Sequence, residues 1–85
     1  MAVEMLYFAW VREQIGCGHE SVSPPEGLAT VADLIDWLAG RSAGHAAAFA
    51  DRARLRAAID QRFGPLDALI EGAREIAIFP PVTGG

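Results

Sequence analysis

Apolar residues dominate both ends of the chain. Residues 2–11 are almost continuously apolar and hold one charged side chain, a composition typical of a strand covered on both faces. Residues 75–79 are rich in β-branched and aromatic side chains and stop at Pro80-Pro81, which cannot continue a strand ladder. We therefore predict a first strand over 2–11 and a last strand over 75–79.

The clearest helical signal lies in the middle of the chain. Apolar residues in the stretch 31–38 follow the i, i+3, i+4, i+7 spacing of an amphipathic helix. Thr30 precedes this stretch as a candidate N-cap, and Asp33 occupies the third helical position, where a carboxylate is favourable. We expect Gly40 to end the helix as a left-handed cap. Residues 41–54 are alanine-rich, and their pattern leaves both a second helical turn and a loop open.

Two further strands are predicted from shorter patterns. Residues 55–61 alternate between apolar and polar side chains, as in a half-buried strand, and Gly64-Pro65 breaks the pattern. Residues 20–23 form a candidate edge strand, and the glycines in 16–18 permit a turn before it. The first two strands would then pair as a hairpin.

The predicted order is strand, strand, helix, strand, strand, which indicates an α+β fold with one sheet face covered. The first and last strands are the most apolar, so we place them side by side at the centre. They would then be parallel neighbours, with the helix in the crossover. This is a β-grasp arrangement, a mixed sheet with one main helix over residues 1–79, followed by an extended tail at 80–85.

Composition and charge narrow the function classes. The 85 residues suffice for one core, and a net charge of -4 with pI ≈ 4.9 disfavours binding to nucleic acids and anionic membranes. Cys17 is the single cysteine, and the sequence has no signal peptide pattern, so we expect a cytoplasmic protein. All seven basic residues are arginine, and those at positions 52, 54, 56 and 62 suggest a docking edge.

The side chains show little sign of catalytic or metal chemistry. Cys17 and His19 lie two residues apart on a glycine turn and lack a third orienting group, which favours an incidental loop thiol. His19 and His45 lack the short spacing of metal ligands, so we expect solvated histidines and no metal site. Asp33 and Asp36 are interpreted as capping and solvent-facing charges of the helix.

The C-terminal segment Pro80-Pro81-Val82-Thr83-Gly84-Gly85 has no pattern that would pack into a core. Its prolines favour an extended exit, and six residues can reach about 20 Å. A terminal Gly-Gly fits a slot that admits only backbone. The reactive group would then be the main-chain carboxylate of Gly85, which needs ATP to become an acyl-adenylate. The alternative is a frayed terminus that happens to end in glycine.

Four segments of the chain resemble the small subunits of molybdopterin synthase, the MoaD-type sulfur carriers with a ubiquitin-like β-grasp fold. The segments are residues 6–13, 30–34, 57–61 and 75–85, and the tail is the most specific of them. There are three departures: Asp60 replaces a common Asn, residues 71–75 replace an acidic turn, and residues 41–54 match poorly.

The resemblance implies a chemistry for the tail. An adenylating enzyme of the ubiquitin-activating type would use ATP and Mg²⁺ on Gly85, and a sulfurtransferase system would then form a thiocarboxylate. The tail would insert into the large synthase subunit and pass sulfur to cyclic pyranopterin monophosphate, and two deliveries would build the molybdopterin dithiolene. The chain would be the non-catalytic small subunit of a heterotetramer, inactive alone and without a tightly bound cofactor.

The resemblance also implies roles for individual residues. Gly85 would carry the sulfur and Gly84 would thread the slot. The expected partner-binding residues are Phe8, Arg12, Phe79, Pro80, Pro81, Val82 and Thr83. For Phe8, a place in the protein's own core remains an equal alternative, whereas Phe79, next to the tail, favours the interface.

Three other functions share these features. A Gly-Gly tail on this fold also suits a carrier for thiamine or cysteine synthesis, although the Phe-Pro-Pro-Val stretch argues against thiamine. A ubiquitin-like modifier would use the same activation to form isopeptide bonds. A purely structural binding module would function without Gly84 and Gly85.

Overall fold

A computed structural model of the chain describes residues 2–81, whose strands form one mixed sheet in the order β2-β1-β5-β3-β4. The strands are β1 (Val3–Tyr7), β2 (His19–Val22), β3 (Arg56–Ile59), β4 (Arg62–Gly64) and β5 (Glu75–Phe79). Strands β1 and β5 are parallel, and the other neighbours are antiparallel. The predicted β-grasp fold with a central parallel pair is therefore confirmed.

The helices pack on one face of this sheet and share its core. They are α1 (Ala9–Ile15), α2 (Val31–Ala39) and α3 (Ala43–Ala48), and a 3₁₀ turn spans Arg52–Arg54. Met5 and Tyr7 of β1 and Ile76 and Ile78 of β5 point into the core, where Leu34 of α2 is also fully buried.

The predicted first strand is too long. The strand ends at Tyr7, and residues 9–15 form α1, because Val11 and Ile15 lie four residues apart and bury one side of a helix against the core. Gly16 then ends α1 in the left-handed region, at φ 99°. The predicted pairing of the first two strands is confirmed, but a helix rather than a tight turn connects them.

Helix α2 begins as the sequence predicts and ends differently. The Thr30 hydroxyl accepts a hydrogen bond from the Asp33 N–H at 3.1 Å, and the Asp33 carboxylate accepts one from the Thr30 N–H at 3.1 Å, which completes a capping box. The left-handed cap predicted at Gly40 is wrong, because Gly40 has φ -85° and the chain stays right-handed. Two residues after Gly40, Ser42 caps α3, so the stretch 41–54 contains a second helix.

The predicted strand 55–61 is shorter and leads into a strand that the sequence analysis missed. Asp60 and Gln61 both have positive φ and form a two-residue turn between β3 and β4. The Asp60 carboxylate accepts hydrogen bonds from the N–H groups of Arg74 and Glu75, each at 3.0 Å. This side chain therefore ties the turn to the start of β5.

A polar network joins β2 to α3 within the core. Glu20 accepts a hydrogen bond from the Tyr7 hydroxyl at 2.8 Å and bonds the His45 ring at 2.6 Å, and Ser42 bonds the other His45 nitrogen at 2.7 Å. His45 is only 7% exposed, so the prediction of a solvated histidine is wrong there. The reason is that Glu20 and Ser42 satisfy both ring nitrogens, which makes burial favourable.

The same network shifts two pKa values. Burial, together with the bond to Glu20, raises the pKa of Tyr7. Burial opposes ionisation of Glu20, but the bonds from His45 and Tyr7 outweigh it, so the pKa of Glu20 is lowered from the ordinary value of 4.5. Glu20 is therefore ionised in the folded protein at neutral pH.

We expect the Glu20→Gln variant to lose about 1–3 kcal/mol of unfolding free energy at neutral pH, because the network loses its charged acceptor. The lowered pKa stabilises the fold fully above the ordinary value, and this contribution disappears as the pH falls through the folded-state pKa. Urea denaturation between neutral and acidic pH should show a smaller pH dependence for the variant than for the wild type. Exposed Glu26→Gln is the control, and equal pH dependence in both variants would contradict the assignment.

Helices α1 and α3 approach closely at Gly44, where an added Cβ would collide with the carbonyl oxygen of Gln14. We expect Gly44→Ala to lower the unfolding free energy by about 1–3 kcal/mol, because backbone must move to relieve the collision. The control is Gly40→Ala, whose new Cβ would lie 3.6 Å from the nearest atom, the Trp37 carbonyl oxygen. Thermal unfolding measures both, and an unchanged Tm for Gly44→Ala would refute this account.

Candidate partner-docking face

The second face of the sheet contains an apolar row that crosses β5, β3 and β4. Strand residues alternate between the two faces, so Ala77 points away from the core between buried Ile76 and Ile78. Ala58 of β3 pairs with Ala77, and Phe63 of β4 pairs with Ala58, which extends the same apolar row to the edge of the sheet. None of the helices in the described chain covers this row.

This face contains an open groove of about 650 Å³. Its lining residues are Phe8, Ala9, Ala58, Gln61, Phe63, Ala77, Phe79, Pro80 and Pro81. Among them Phe63 is 86% exposed and Phe8 is 49% exposed. Contiguous exposed apolar surface of this kind marks a site of protein interaction. We refer to these nine residues as the docking groove.

Three phenylalanines give the docking groove its large contact surfaces. Phe63 and Phe79 pack with ring centroids 5.7 Å apart at an interplanar angle of 59°. Phe8 immediately follows β1, and Ala9 then adopts φ 54°, which turns the chain sharply into α1. Because β1 and β5 are parallel, Phe8 and Phe79 lie at the same edge of the sheet. Phe8 is thus at the surface and not in the core.

The chain leaves the sheet beside this groove. Pro80 and Pro81 are half-buried and belong to the groove lining. Val82, Thr83, Gly84 and Gly85 lie outside the described residues, so the roles assigned to them stay predictions. The start of the tail, Pro80 and Pro81, is thus part of the docking groove.

Arg12, which was expected to flank the phenylalanines, is not brought to the groove. Its side chain lies over Gly18, where an added Cβ would be 3.1 Å from the Arg12 Nε atom. It is exposed and is absent from the groove lining. The groove lining therefore contains no ionisable side chain.

Sequence reasoning missed Phe63. The available signal was an aromatic residue in a polar stretch immediately before Gly64-Pro65, at the position that pairs with Ala58 across a short hairpin. The signal was overlooked because β4 spans only three residues and has no periodicity of its own.

The other candidate residues do not converge on a reactive site. Cys17 is a half-buried free thiol, and exposed His19 bonds Glu4 at 2.5 Å. The bonds from Ser21 and His19 lower the pKa of Glu4. Asp33 caps α2 and exposed Asp36 pairs with an arginine, as predicted for helix charges. Residues 2–81 contain no group of three or more His, Cys, Asp or Glu side chains placed to hold a metal ion.

The four clustered arginines of the sequence also separate. Arg52 pairs with Asp36 at 2.5 Å, Arg54 stacks on Trp10, and Arg56 donates hydrogen bonds to carbonyl oxygens of its own segment. Arg62 lies on the outer strand β4.

Among the helices described here, none is long and apolar enough to cross a membrane.

Comparison with known proteins agrees with this arrangement. A family model described as the ThiS family matches residues 5–85. The chain is 35% identical to the molybdopterin synthase sulfur carrier subunit of Haemophilus influenzae over 98% of this chain and 99% of the relative, and 36% identical to that of Escherichia coli with the same coverage. Its fold matches the crystal structure of small archaeal modifier protein 1 from Haloferax volcanii with a TM-score of 0.69 and 27% identity, covering 95% and 98% of the two chains.

These matches span nearly the whole chain and include its last residues, so the resemblance predicted from four short segments is confirmed. The five-stranded order and the parallel central pair agree with the same assignment. The chain therefore belongs to the ThiS/MoaD family, the family of the molybdopterin synthase sulfur carrier subunits that it matches.

Proposed function

We propose that the chain is the sulfur carrier subunit of a molybdopterin synthase and that the carboxylate of Gly85 carries the sulfur. The curated relatives that share more than a third of its residues have this function in their names, and the family match extends through residue 85. The chain would serve as the non-catalytic small subunit and would work in the cytoplasm.

The chemistry begins at the main-chain carboxylate. An activating enzyme with ATP and Mg²⁺ converts the Gly85 carboxylate to an acyl-adenylate, and pyrophosphate leaves. Hydrosulfide supplied by the sulfurtransferase system then attacks the carbonyl carbon and AMP leaves, which produces a thiocarboxylate. The docking groove has no ionisable side chain that could act as an acid or base, which supports assigning both steps to partner enzymes.

Delivery of the sulfur requires enclosure. A thiocarboxylate is a good nucleophile that water hydrolyses, so the tail must enter a pocket that excludes water. In our proposal the tail inserts into the large synthase subunit, with Gly84 threading the slot, and sulfur passes to cyclic pyranopterin monophosphate. Two deliveries complete the dithiolene, and one small subunit would serve each large subunit of a heterotetramer.

The observation that carries this proposal is the position of β5 in the sheet. Pro80 and Pro81 follow its last residue and form part of the docking groove, so the anchoring surface and the start of the tail share one edge of the sheet. Six residues from Pro80 to Gly85 can reach about 20 Å, enough to enter a pocket in a protein that sits on the groove. Phe8, Phe63 and Phe79 are the proposed anchors, and Val82 and Thr83 belong to the inserted arm.

A second candidate function is that of a ubiquitin-like modifier, and one observation favours it. The fold matches a small archaeal modifier protein over nearly all of both chains. Both functions would use the same activation, but the modifier would transfer Gly85 to an amine of another protein. The two functions differ in the product formed after activation.

Intact mass after activation separates these functions. We expect incubation with ATP, Mg²⁺, a sulfur source and the activating enzyme to add the mass difference between one sulfur and one oxygen, because the terminal carboxylate becomes a thiocarboxylate. A variant without Gly85 is the control and should show no gain. High-mass protein adducts in place of this gain would favour the modifier, and no change with a demonstrably active enzyme would refute both.

Phe63→Ala tests the docking groove. Because Phe63 is 86% exposed, its removal should leave folding intact while weakening binding to the large subunit about tenfold or more, as expected for an aromatic anchor. Leu69→Ala is the matched control, because Leu69 is 70% exposed and lies outside the groove, bridged to Thr30. Isothermal titration calorimetry measures both affinities. Equal affinities for the two variants would remove Phe63 from the interface.

A further inference from the structure

Two arginines lie at the edge of the sheet where the tail begins. Arg56 is the first residue of β3 and pairs with Phe79, the last residue of β5. Arg54 ends the 3₁₀ turn two residues earlier, and its guanidinium carbon lies 4.9 Å from the ring centroid of Trp10, in the first turn of α1. We call Arg54 and Arg56 the exit arginines.

The exit arginines have no acidic partner in the described part of the chain. The chain has 11 acidic residues and seven arginines, yet no described carboxylate lies within 4 Å of either guanidinium. Arg52, by contrast, pairs with Asp36, and Arg41 lies 3.8 Å from Glu20. The acid nearest in sequence, Asp51, accepts a hydrogen bond from the Ala53 N–H at 3.1 Å.

Both side chains are nevertheless held in place. Arg54 lies over the Trp10 ring, and one terminal nitrogen of Arg56 donates to the carbonyl oxygens of Ala53 at 3.2 Å and Leu55 at 2.9 Å. The Nε and second terminal nitrogen of Arg56 remain for a bidentate bond to a carboxylate. Because the side chains are already ordered, binding costs less conformational entropy than it would for mobile arginines.

We propose that the exit arginines dock against carboxylates on the large synthase subunit, beside the entrance of the slot that receives the tail. The inference rests on the function proposed above. An apolar centre with a charged rim is the usual composition of a specific interface. The exit arginines are not part of the groove lining, but Arg56 pairs with Phe79 of the groove, and Arg54 lies over Trp10, the residue after Ala9 of the groove. A rim charge of this kind orients the approaching partners before the apolar surfaces meet.

A protein surface, and not a bound phosphate, is the expected partner of these two residues. The carboxylate of Gly85 attacks the α-phosphate of ATP, and the pterin takes its sulfur from the same terminus, which can lie up to about 20 Å from Phe79 when the tail is extended. The net charge of -4 also disfavours nucleic acid. When the tail is inserted into the partner, the groups nearest the exit arginines are those on the partner's surface around the slot.

The test is the association rate of the full-length chain with the purified large subunit, measured by stopped flow. The ionic strength is raised from about 0.01 M to about 0.15 M, which shortens the Debye length from about 30 Å to about 8 Å. We expect the wild-type rate to fall with salt. The double variant Arg54→Gln/Arg56→Gln should associate about tenfold more slowly at low salt, with a weaker salt dependence.

Two control variants make the result specific. Arg74→Glu changes the net charge by the same two units, but Arg74 is exposed just before β5, at the edge of the sheet opposite to Phe79. It should associate nearly as fast as the wild type. Arg54→Lys/Arg56→Lys keeps both charges and should recover most of the lost rate. Thermal unfolding confirms that each variant is folded.

The outcomes separate this inference from the function on which it rests. A wild-type rate that rises with salt, or an equal loss for Arg74→Glu and the double glutamine variant, would overturn the role of the exit arginines while leaving the carrier function intact. Failure of the wild type to bind the large subunit at any ionic strength would overturn both.

Discussion

The parallel pairing of β1 with β5 is the constraint on which the rest of this structure depends. Parallel neighbours cannot be joined by a tight turn, so a long connection must link β1 to β5. The helices and the other strands form this connection. Parallel strands also end at the same edge of the sheet. Phe8 and Phe79 therefore meet there, and the chain can leave the fold only beside the docking groove. The position of the candidate site thus follows from topology and not from a shaped loop.

The two faces of the sheet have different roles: one packs against the helices in the core, and the other contains the docking groove. Met5, Tyr7, Ile76 and Ile78 face the helices and are almost completely buried, so they form the sheet's share of the apolar surface that is removed from water on folding. The alternate positions face outward, and on β3, β4 and β5 they include Ala58, Phe63, Ala77 and Phe79 of the docking groove. An exposed apolar groove is unfavourable for solubility, so its presence here argues for a partner that covers it.

The sequence predicted the elements that carry complete local signals. Helix α2 has both members of a capping box and a regular apolar period, and its start was correct to the residue. The first strand was drawn too long because β1 and α1 are both buried, and an apolar run does not distinguish period 2 from period 3.6. His45 was misplaced because its burial depends on Glu20, 25 residues away, which no local pattern reveals.

The candidate site was predictable only where a local segment of the sequence identified its residues. Phe8, Phe79 and the prolines were predicted because they belong to the segments 6–13 and 75–85, which resemble the family. Phe63 was missed because its position depends on its pairing with Ala58. Arg54 and Arg56 were predicted as part of a docking edge, but their place beside the tail depends on the pairing of Arg56 with Phe79. Contacts that depend on strand register cannot be predicted from the order of residues along the chain.

Local backbone preferences are least satisfied where β1 meets α1. Phe8 occupies the N-cap of α1 but provides no side-chain hydrogen bond, and the Arg12 N–H reaches the Phe8 carbonyl at a long 3.4 Å. Ala9 has φ 54°, a conformation that costs an L-residue with a Cβ about 1–2 kcal/mol. A polar cap residue would start this helix better, but it would remove an aromatic ring from the docking groove. The residues at this junction therefore lower the local stability of the fold. The exposed ring of Phe8 is consistent with selection for binding.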